Sequence, residues 1–564
     1  MMPLLNSPAT SRHSASRRTQ RRGHDRPYTI ESLEQRKLFD AVVINAIPDQ
    51  VFAQDSGPEQ AYLYGVFADN TGASDLAFAA NSTNPSVVTA SVSGPALTIT
   101  PVAGQSGFAR IQISATDPNG LRVSNTFRVQ ITAADTRALD VLLGAGSPTS
   151  IHYQQSSGAS ATVSLVGPGS AVLHFGGDNL ARAGTVLHGA NEELESITLS
   201  DTTAASTLSV AGQKSPNGLA SVGNITATGD LGRLDVSNAI IEGDVSIAGA
   251  LPGINVDYAQ GGTISVGSGG VTIIGKSFVD ENFSSSSPVN SIKMLQWGNS
   301  DNVNELFSAA FVRAIKVKGS FTPGLQLSGE GAPARTLDHM TIPGEVGGTW
   351  NIVGPSAPLS VGSTALDWNA TFSALPSIAC RGNLMGKLTA PTIRTISVRG
   401  YVDAATITLT APGITDLNTL KAKGLSFAHI NVAGNIGSIS IKLMQFSAVL
   451  AAVASVSTNG LPGAASDFSA DASIKAITIT GGIHPNDFIS SYIAASSLGT
   501  LQLSDVMLDN TGTPFGVAGG GIGRLQFVAG HRHIDLRNVH DAATLAAQLT
   551  AQNASLGDMT IQIV

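Results

Sequence analysis

The residues best suited to binding a metal ion lie near the C-terminus. His531, Arg532 and His533 are followed closely by His540 and Asp541. Alternate residues of a strand share a face, so the imidazoles of His531 and His533 could act as two ligands of one ion. No third ligand follows at a fixed spacing, and the guanidinium of Arg532 would repel a cation. We therefore expect solvated side chains in this segment rather than a metal site.

Other residues that could carry chemistry fit no catalytic pattern. The glycine runs at residues 267–270 and 519–521 match neither of the phosphate-binding loop motifs, so we expect them to turn corners. No G-x-S-x-G nucleophile elbow occurs. Cys380 follows Ile378 and Ala379, and we expect a small packed side chain there. The sequence therefore assigns no catalytic, no cofactor-binding and no metal-ligating residue.

The composition favours extended β structure. Charged residues make up 13% of the chain, about half the usual globular share, and there are 61 glycines among 564 residues. The single cysteine excludes an intramolecular disulfide. Residues 1–41 carry a charge of +4, which leaves about −12 for the rest of a chain whose net charge is −8. An acidic body argues against nucleic acid as a partner, and no apolar run is long enough for a transmembrane segment.

Residues 1–41 are predicted to be a disordered basic leader. Six arginines and one acidic residue lie between residues 12 and 26, and no apolar segment of a secretory signal follows. Residues 30–41 resemble the LEPR-type leader near the start of many large planctomycete surface proteins. That resemblance implies export to the cell surface or the extracellular space; the alternative is a stray amphipathic turn. The matching residues are Leu33, Glu34, Arg36, Leu38 and Ala41, with Gln35 in place of a frequent Pro and Asp40 in place of a frequent Ser.

Residues 42–134 show the alternation and turn spacing of a β-sandwich. The clearest hairpin joins the alternating segments at 109–115 and 125–131 through an Asp-Pro-Asn-Gly turn. The phrases at residues 47–50, 97–103 and 115–120 resemble bacterial cadherin-like or Ig-like modules. Further strands are expected at 61–64, 87–92 and 96–100.

The resemblance to cadherin-like modules implies a Ca²⁺ site built from clustered acidic residues. Here Asp69, Asp75 and Asp117 are scattered along the module, and Asp117 with Asn119 fits a turn. We therefore predict no cofactor, and keep Ca²⁺ at this module as the alternative.

A six-residue phrase, apolar-x-x-apolar-x-apolar, recurs through the rest of the chain at intervals often near 24 residues. Coils of 20–25 residues with short strands and Gly corners predict a parallel β-helix, that is, a β-solenoid. The phrases at 230–236 and 435–441 resemble the solenoids of the same planctomycete-type proteins. We expect a β-rich N-terminal cap of the solenoid at 135–190, solenoid repeats at 191–540 and a C-terminal cap at 541–564. Two segments, 446–456 and 542–554, are predicted to be helical.

The outward position of the phrase bears on enzymatic activity. β-Helix polysaccharide lyases and glycoside hydrolases need carboxylates, or an Arg/Lys/Asp group, projecting from one strand face. The outward residues here are mostly small or amide side chains without a carboxylate pair, so we predict no enzyme and keep a carbohydrate-active enzyme as the alternative. These residues are Thr198, Asp235, Lys293, Lys316, Thr341, Ser397, Asn431, Ser440, Thr478, Gln502 and Gln526.

Taken together, these patterns predict an exported, non-enzymatic structural or adhesion protein. Its extended β-solenoid surface would make multivalent contacts with glycans, matrix or other surface proteins. A purely architectural envelope component without a ligand is a further possibility. In each case the chain would be all-β, with a sandwich module followed by a long solenoid.

Overall fold

A computed structural model describes residues 42–68, 75–118, 120–132, 138–213, 215–216, 218–301, 303–412, 415–482 and 486–564. The segment predicted to be a basic leader, and the residues Asp69 and Asn119, lie outside this range. The all-β prediction is confirmed: 63% of the chain is strand, with one α-helix among the described residues. In the same residues, no helix combines the length and the apolar character that crossing a bilayer requires.

The first module consists of two small sheets around one core. A four-stranded sheet has the order β2-β9-β8-β5, a three-stranded sheet has the order β3-β7-β6, and β1 pairs with β4. Leu63, Phe67, Ile111 and Phe127 lie in the core between them. The predicted hairpin is confirmed as the antiparallel pair β8–β9. The strands are β1 (Val42–Val43), β2 (Gln50–Ala53), β3 (Glu59–Tyr62), β4 (Phe67–Ala68), β5 (Ala77–Ser82), β6 (Val88–Ser93), β7 (Ala96–Pro101), β8 (Gly107–Thr116) and β9 (Arg122–Thr132).

An antiparallel segment follows and leads into the solenoid. β13 pairs antiparallel with β10 and β14, and β12 pairs antiparallel with β15. The next strand, β16, pairs parallel with β14, so the pairing changes from antiparallel to parallel at this point. The long strands β13 and β14 thereby cover the open edge of the first coil, where a bare edge would invite aggregation. The strands are β10 (Ala138–Gly144), β11 (Ser150–Gln154), β12 (Ser160–Val166), β13 (Ser170–Ala183), β14 (Val186–Ser200), β15 (Thr207–Gln213) and β16 (Ala220–Ala227).

The β-solenoid makes about 15 turns over residues 220–528, as the repeated phrase predicts. Its strands are β17 (Arg233–Ile241), β18 (Val245–Ala250), β19 (Gly253–Gln260), β20 (Thr263–Ser268), β21 (Val271–Val279), β22 (Asn282–Ser285), β23 (Val289–Met294), β24 (Gln296–Gly298), β25 (Leu306–Ala309), β26 (Val312–Val317), β27 (Gly324–Leu327), β28 (Leu337–Val346), β29 (Thr349–Pro355), β30 (Leu359–Thr364), β31 (Asn369–Ala374), β32 (Ser377–Cys380), β33 (Leu384–Ala390), β34 (Ile393–Val398), β35 (Tyr401–Leu409), β36 (Thr415–Lys421), β37 (Gly424–Ser426), β38 (His429–Val432), β39 (Asn435–Ile441), β40 (Met444–Gln445), β41 (Ala448–Ala451), β42 (Ser473–Ile479), β43 (Phe488–Ile489), β44 (Tyr492–Ala494), β45 (Ser497–Asp505), β46 (Phe515–Gly519) and β47 (Ile522–Ala529).

Parallel pairing between successive coils produces three faces. Face A is the column that begins β16–β18–β20, and face B is the column that begins β17–β19–β21. Face C is a column of shorter pairings, such as β21–β24, β35–β37 and β37–β40. Each strand buries alternate side chains in the interior, which is why the phrase alternates apolar and polar residues.

The interior of the solenoid holds stacked side chains. Ile439 and Ile441 of the best phrase are buried, and their neighbours in the next coil are Ile477 and Ile479. Farther along the axis, edge-to-face aromatic contacts link successive coils, with ring centroids 5.1–6.3 Å apart. The aromatic residues are Phe278, Trp297, Phe321, Trp350 and Trp368, all fully buried. Because each coil packs only on its neighbours, this continuous core holds the stack together.

The prediction of a helix at 446–456 is wrong. The segment instead forms a corner and the face A strand β41, whose residue Val449 pairs in parallel with Ile430. Phe446 and Ala452 adopt left-handed backbone conformations (φ 48° and 52°) on either side of that strand. Alanine favours helix but valine does not, and the strand edge that the adjacent coil offers outweighs this local preference, so tertiary pairing decided the structure.

The predicted C-terminal helix is confirmed as α1 (Ala542–Ala551), with Asp541 accepting a hydrogen bond from the Thr544 N–H at its start. It follows β48 (Arg532–Val539), which pairs antiparallel with β47. The final strand, β49 (Met559–Ile563), returns to face A and pairs with β46. The antiparallel strand and the helix together end the stack.

Candidate functional site

The histidine group near the C-terminus does not assemble into a site. His531 forms the turn between β47 and β48 (φ 73°), and both it and His533 are exposed. Arg532 donates to the carbonyl of Asn553 (2.9 Å), and Asp541 is engaged as the helix cap. Among the described residues, one group of side chains lies close enough together to share a metal ion. That group contains neither His531 nor His533.

Cys380 and the glycine runs have structural roles. Cys380 is buried on face B, and burial raises the pKa of its thiol to about 12. Gly267 lies in β20 so close to the previous coil that a Cβ would fall 1.9 Å from the carbonyl oxygen of Ala248. Gly269 turns the following corner with a φ of +80°. Cys380 is therefore packed, as expected, and Gly269 turns a corner, whereas Gly267 lies within a strand rather than at the corner predicted for it.

Face A presents a continuous row of uncharged polar side chains. Twelve register-paired positions carry only Ser, Thr, Asn or Gln, and all are exposed or half-buried. Hydroxyl and amide groups stacked at the strand spacing of about 4.8 Å offer donors and acceptors in a regular array. The row consists of Thr198, Thr226, Ser246, Ser265, Ser284, Ser308, Gln326, Asn351, Thr371, Thr389, Thr408 and Asn431.

The outward residues of the repeated phrase fall on two faces rather than one. Thr198 and Asn431 belong to the row on face A, and the other nine lie on face B. The apolar-x-x-apolar-x-apolar spacing fits any strand of the solenoid that follows a corner. Strands on both faces can therefore carry the phrase.

A basic groove of about 540 Å³ opens on face B. Lys293 and Lys316 are register neighbours, and Lys318 lies beside them together with the exposed Leu295. Within the described part of the chain, none of these three ammonium groups has a carboxylate partner. Like charges in adjacent coils repel each other, so an anionic ligand would relieve an unfavourable arrangement.

The first module packs sideways against the solenoid at the corner between faces C and A. Ser124 Oγ donates to the carbonyl of Ser300 (3.0 Å), and Arg128 Nη1 donates to the carbonyl of Glu242 (3.0 Å). Phe108 lies against Gly223, where a Cβ would fall 2.9 Å from its ring. The module thus covers the coils from about residue 193 to residue 305.

Arg110 is the most deeply buried cation of this interface. Its guanidinium lies over Gly261, and its Nη1 is 3.7 Å from Asp280 Oδ2 in an ion pair that is 96% buried on both sides. Its Nε and Nη2 atoms are buried and have no hydrogen-bond partner. One guanidinium therefore faces a largely acidic surface of the solenoid.

Two buried carboxyl groups, those of Glu193 and Glu281, and the half-buried Glu242 line that surface, and desolvation is the first cause of each pKa shift. Burial raises the pKa of Glu193 to about 8 and the pKa of Glu281 to about 8. Burial likewise raises the pKa of Glu242 to about 7, although Arg110 and Arg128 lower it in part. Removal of water from around these carboxyl groups disfavours their charged form, so they ionise at a higher pH than usual.

Three further carboxyl groups meet at the end of this surface. One oxygen from each of Asp280, Asp301 and Glu305 lies within 4.8 Å of the others, and all three residues are buried. They line a cavity of about 210 Å³ together with Thr126 and Arg110. Burial raises the pKa of Asp301 to about 6 and the pKa of Glu305 to about 9. The sequence analysis assigned no metal-ligating residue and so did not identify this cluster.

Comparison of the sequence with protein-family models and with curated proteins finds no match.

Proposed function

We propose that the chain is an exported, non-enzymatic structural or adhesive protein whose solenoid makes multivalent contacts along its length. The observation that carries the proposal is the uninterrupted polar row on face A. Many weak, equally spaced hydrogen bonds suit a repetitive partner such as a glycan chain, because each added contact becomes intramolecular once the first has formed.

The basic groove on face B supports an anionic component among the partners. Lys293, Lys316 and Lys318 would pair with carboxylate or sulfate groups, while Leu295 supplies an apolar wall. The alternative, a polysaccharide lyase or glycoside hydrolase, requires a group that transfers a proton to or from the sugar. The described residues that line the groove include no carboxylate, histidine or tyrosine, which favours binding over turnover there.

A polysaccharide array incubated with the purified chain tests the proposal. The expected result is retained protein without release of reducing or unsaturated ends. Product release would contradict the non-enzymatic assignment. An array without retained protein would contradict the adhesive assignment and favour a purely architectural component.

A pair of variants localises the binding surface. Gln326→Ala with Asn351→Ala interrupts the polar row on face A. Ser440→Ala with Thr478→Ala makes a comparable change on face B and serves as the control. Weaker retention of the face A variant alone is expected, and equal retention of both would contradict the role of the row.

A further inference from the structure

We propose that Asp280, Asp301 and Glu305 form a calcium site at the corner where the first module meets the solenoid. The inference is independent of the proposed function. It starts from geometry: Ca²⁺ binds oxygen ligands at about 2.3–2.6 Å, so two ligands of one ion lie at most about 5 Å apart. The three carboxylate oxygens satisfy this limit, with all of their separations within 4.8 Å.

The surroundings leave oxygen atoms without partners. Glu305 is 96% buried, and its Oε2 has no hydrogen-bond partner. The hydroxyl oxygen of Thr126, contributed by the first module to the same cavity, is also buried and unpartnered. Leaving such atoms unsatisfied is costly, and a cation in the cavity would satisfy both kinds of oxygen.

The rest of the donor set is compatible with a hard cation. The carboxylate of Asp280 accepts from the N–H and hydroxyl of Ser300 (2.6 Å each), and Asp301 Oδ1 accepts from the Val303 N–H (2.9 Å). These bonds fix the two side chains and still leave lone pairs for an ion. Asn282 and Asn304, whose side chains carry neutral amide oxygens, line the same cavity, and Asn282 Oδ1 also accepts from the Leu306 N–H (2.8 Å). Carboxylates with neutral oxygens are the ligands that Ca²⁺ prefers.

The charge balance also favours a divalent ion. When ionised, the three carboxylates carry three negative charges, and Arg110 is the cation that lines their cavity. In that ionised state two of the negative charges lack a positive partner in the cavity, and one divalent cation would neutralise them. Because Thr126 belongs to the module and Asp301 to the solenoid, the ion would also tie these two parts together.

Calorimetric titration of the chelator-treated full chain with CaCl2 tests the site. One Ca²⁺ per chain is expected, with a rise in the thermal unfolding midpoint. Glu305→Gln and Asp301→Asn each preserve shape while removing a charge, and should weaken binding about tenfold or more. Asp416→Asn, which neutralises a buried carboxylate outside the cluster, is the matched control and should bind normally.

Absence of binding heat and of any midpoint shift in the wild type at millimolar CaCl2 would overturn the proposal. Full-strength binding by both Glu305→Gln and Asp301→Asn would do the same. If those variants do not fold, terbium luminescence of the wild type decides. The indole of Trp297 donates to the carbonyl of Glu281, the residue after Asp280 (2.9 Å), and can therefore transfer excitation energy to Tb³⁺ bound at the site. Indole-sensitised emission that Ca²⁺ displaces would support the site, and missing or undisplaced emission would overturn it.

Discussion

The guanidinium of Arg110 occupies the space in which a side chain at Gly261 would begin. A Cβ built on Gly261 would lie 0.6 Å from Arg110 Nη2, and the glycine has a φ of +68°. The residue that permits this backbone conformation thus also opens the slot for the buried cation. A glycine in one coil of the solenoid therefore determines how a separate module docks on it.

We expect Gly261→Ala to destabilise the protein by displacing Arg110 from Asp280. Breaking a buried ion pair costs about 3–5 kcal/mol, because both charges stay buried without a partner. Gly184→Ala is the control, since Gly184 has a similar φ of +62° but open space around it, and backbone strain alone costs about 1–2 kcal/mol. Thermal unfolding should show the larger loss for Gly261→Ala, and equal losses would contradict the role of the slot.

The buried carboxyl group of Glu193 is expected to make stability depend on pH. Its Oε2 accepts from Gln155 Nε2 (2.7 Å), and burial raises its pKa from 4.5 to about 8. Between these values the unfolded chain loses this proton while the folded chain keeps it. The contribution of Glu193 to stability is therefore complete below about pH 4.5 and is lost as the pH rises to about 8.

Glu193→Gln imitates the neutral carboxyl group and should remove this contribution to the pH dependence. We expect its unfolding midpoint to match the wild type near pH 5 and to exceed it by several degrees near pH 8.5. Glu59→Gln, at an exposed position on β3, should follow the wild type at both values. Parallel midpoint curves for Glu193→Gln and the wild type would contradict the assignment.

The basic groove on face B is expected to bind an anionic polysaccharide. Replacing both Lys293 and Lys316 by alanine should weaken that binding about tenfold, because two attractive charges are lost. Binding of a neutral polysaccharide should not change, and added salt should reduce the difference. Lys442→Ala with Lys475→Ala removes the same charge from exposed positions outside the groove and is the control. An equal loss in both double variants would contradict a specific groove.

The fold could be predicted because its rule is local. The phrase at Ile439 and Ile441 repeats the alternation that every coil needs, so apolar spacing alone indicates the strand and its buried side. That spacing does not say which face a strand joins, and this explains why Thr198 and Asn431 fall on face A. The Ala/Val segment after Phe446 has no distinctive period and pairs only because β38 lies beside it.

The acidic surface could not be predicted from local patterns. Glu242, Asp280 and Asp301 lie in different coils, and only the stacking of coils brings their corners together under the module. Acidic residues near corners at intervals of about one coil were a usable signal. The repeated apolar phrase, however, marks strand residues and does not mark the corners. Nothing in the sequence pairs Arg110 with the glycine at 261.

The C-terminal helix covers the last strand edge through two side-chain amides. Gln552 accepts from the N–H of Asp535 (2.9 Å) and donates to its carbonyl (3.0 Å). Gln548 does the same for Arg537, at 2.8 Å and 2.7 Å. The two amides, one on the helix and one at its C-terminal cap, therefore replace the neighbouring strand that β48 lacks on this side. Without them, the N–H and C=O groups of β48 would form an open template for another chain.

Replacing Gln548 and Gln552 by alanine should lower stability and promote self-association. Alanine preserves helix propensity, so the variant tests the edge rather than the helix, and four lost hydrogen bonds amount to about 2–6 kcal/mol. Thr550→Ala, which removes only a bond to the carbonyl of Ala546 within the helix, is the control. Sedimentation at increasing concentration should show heavier species for the double variant than for the wild type or the control. An unchanged distribution would contradict the role of the two amides. It would mean that something else keeps the backbone groups of β48 from pairing with a second chain.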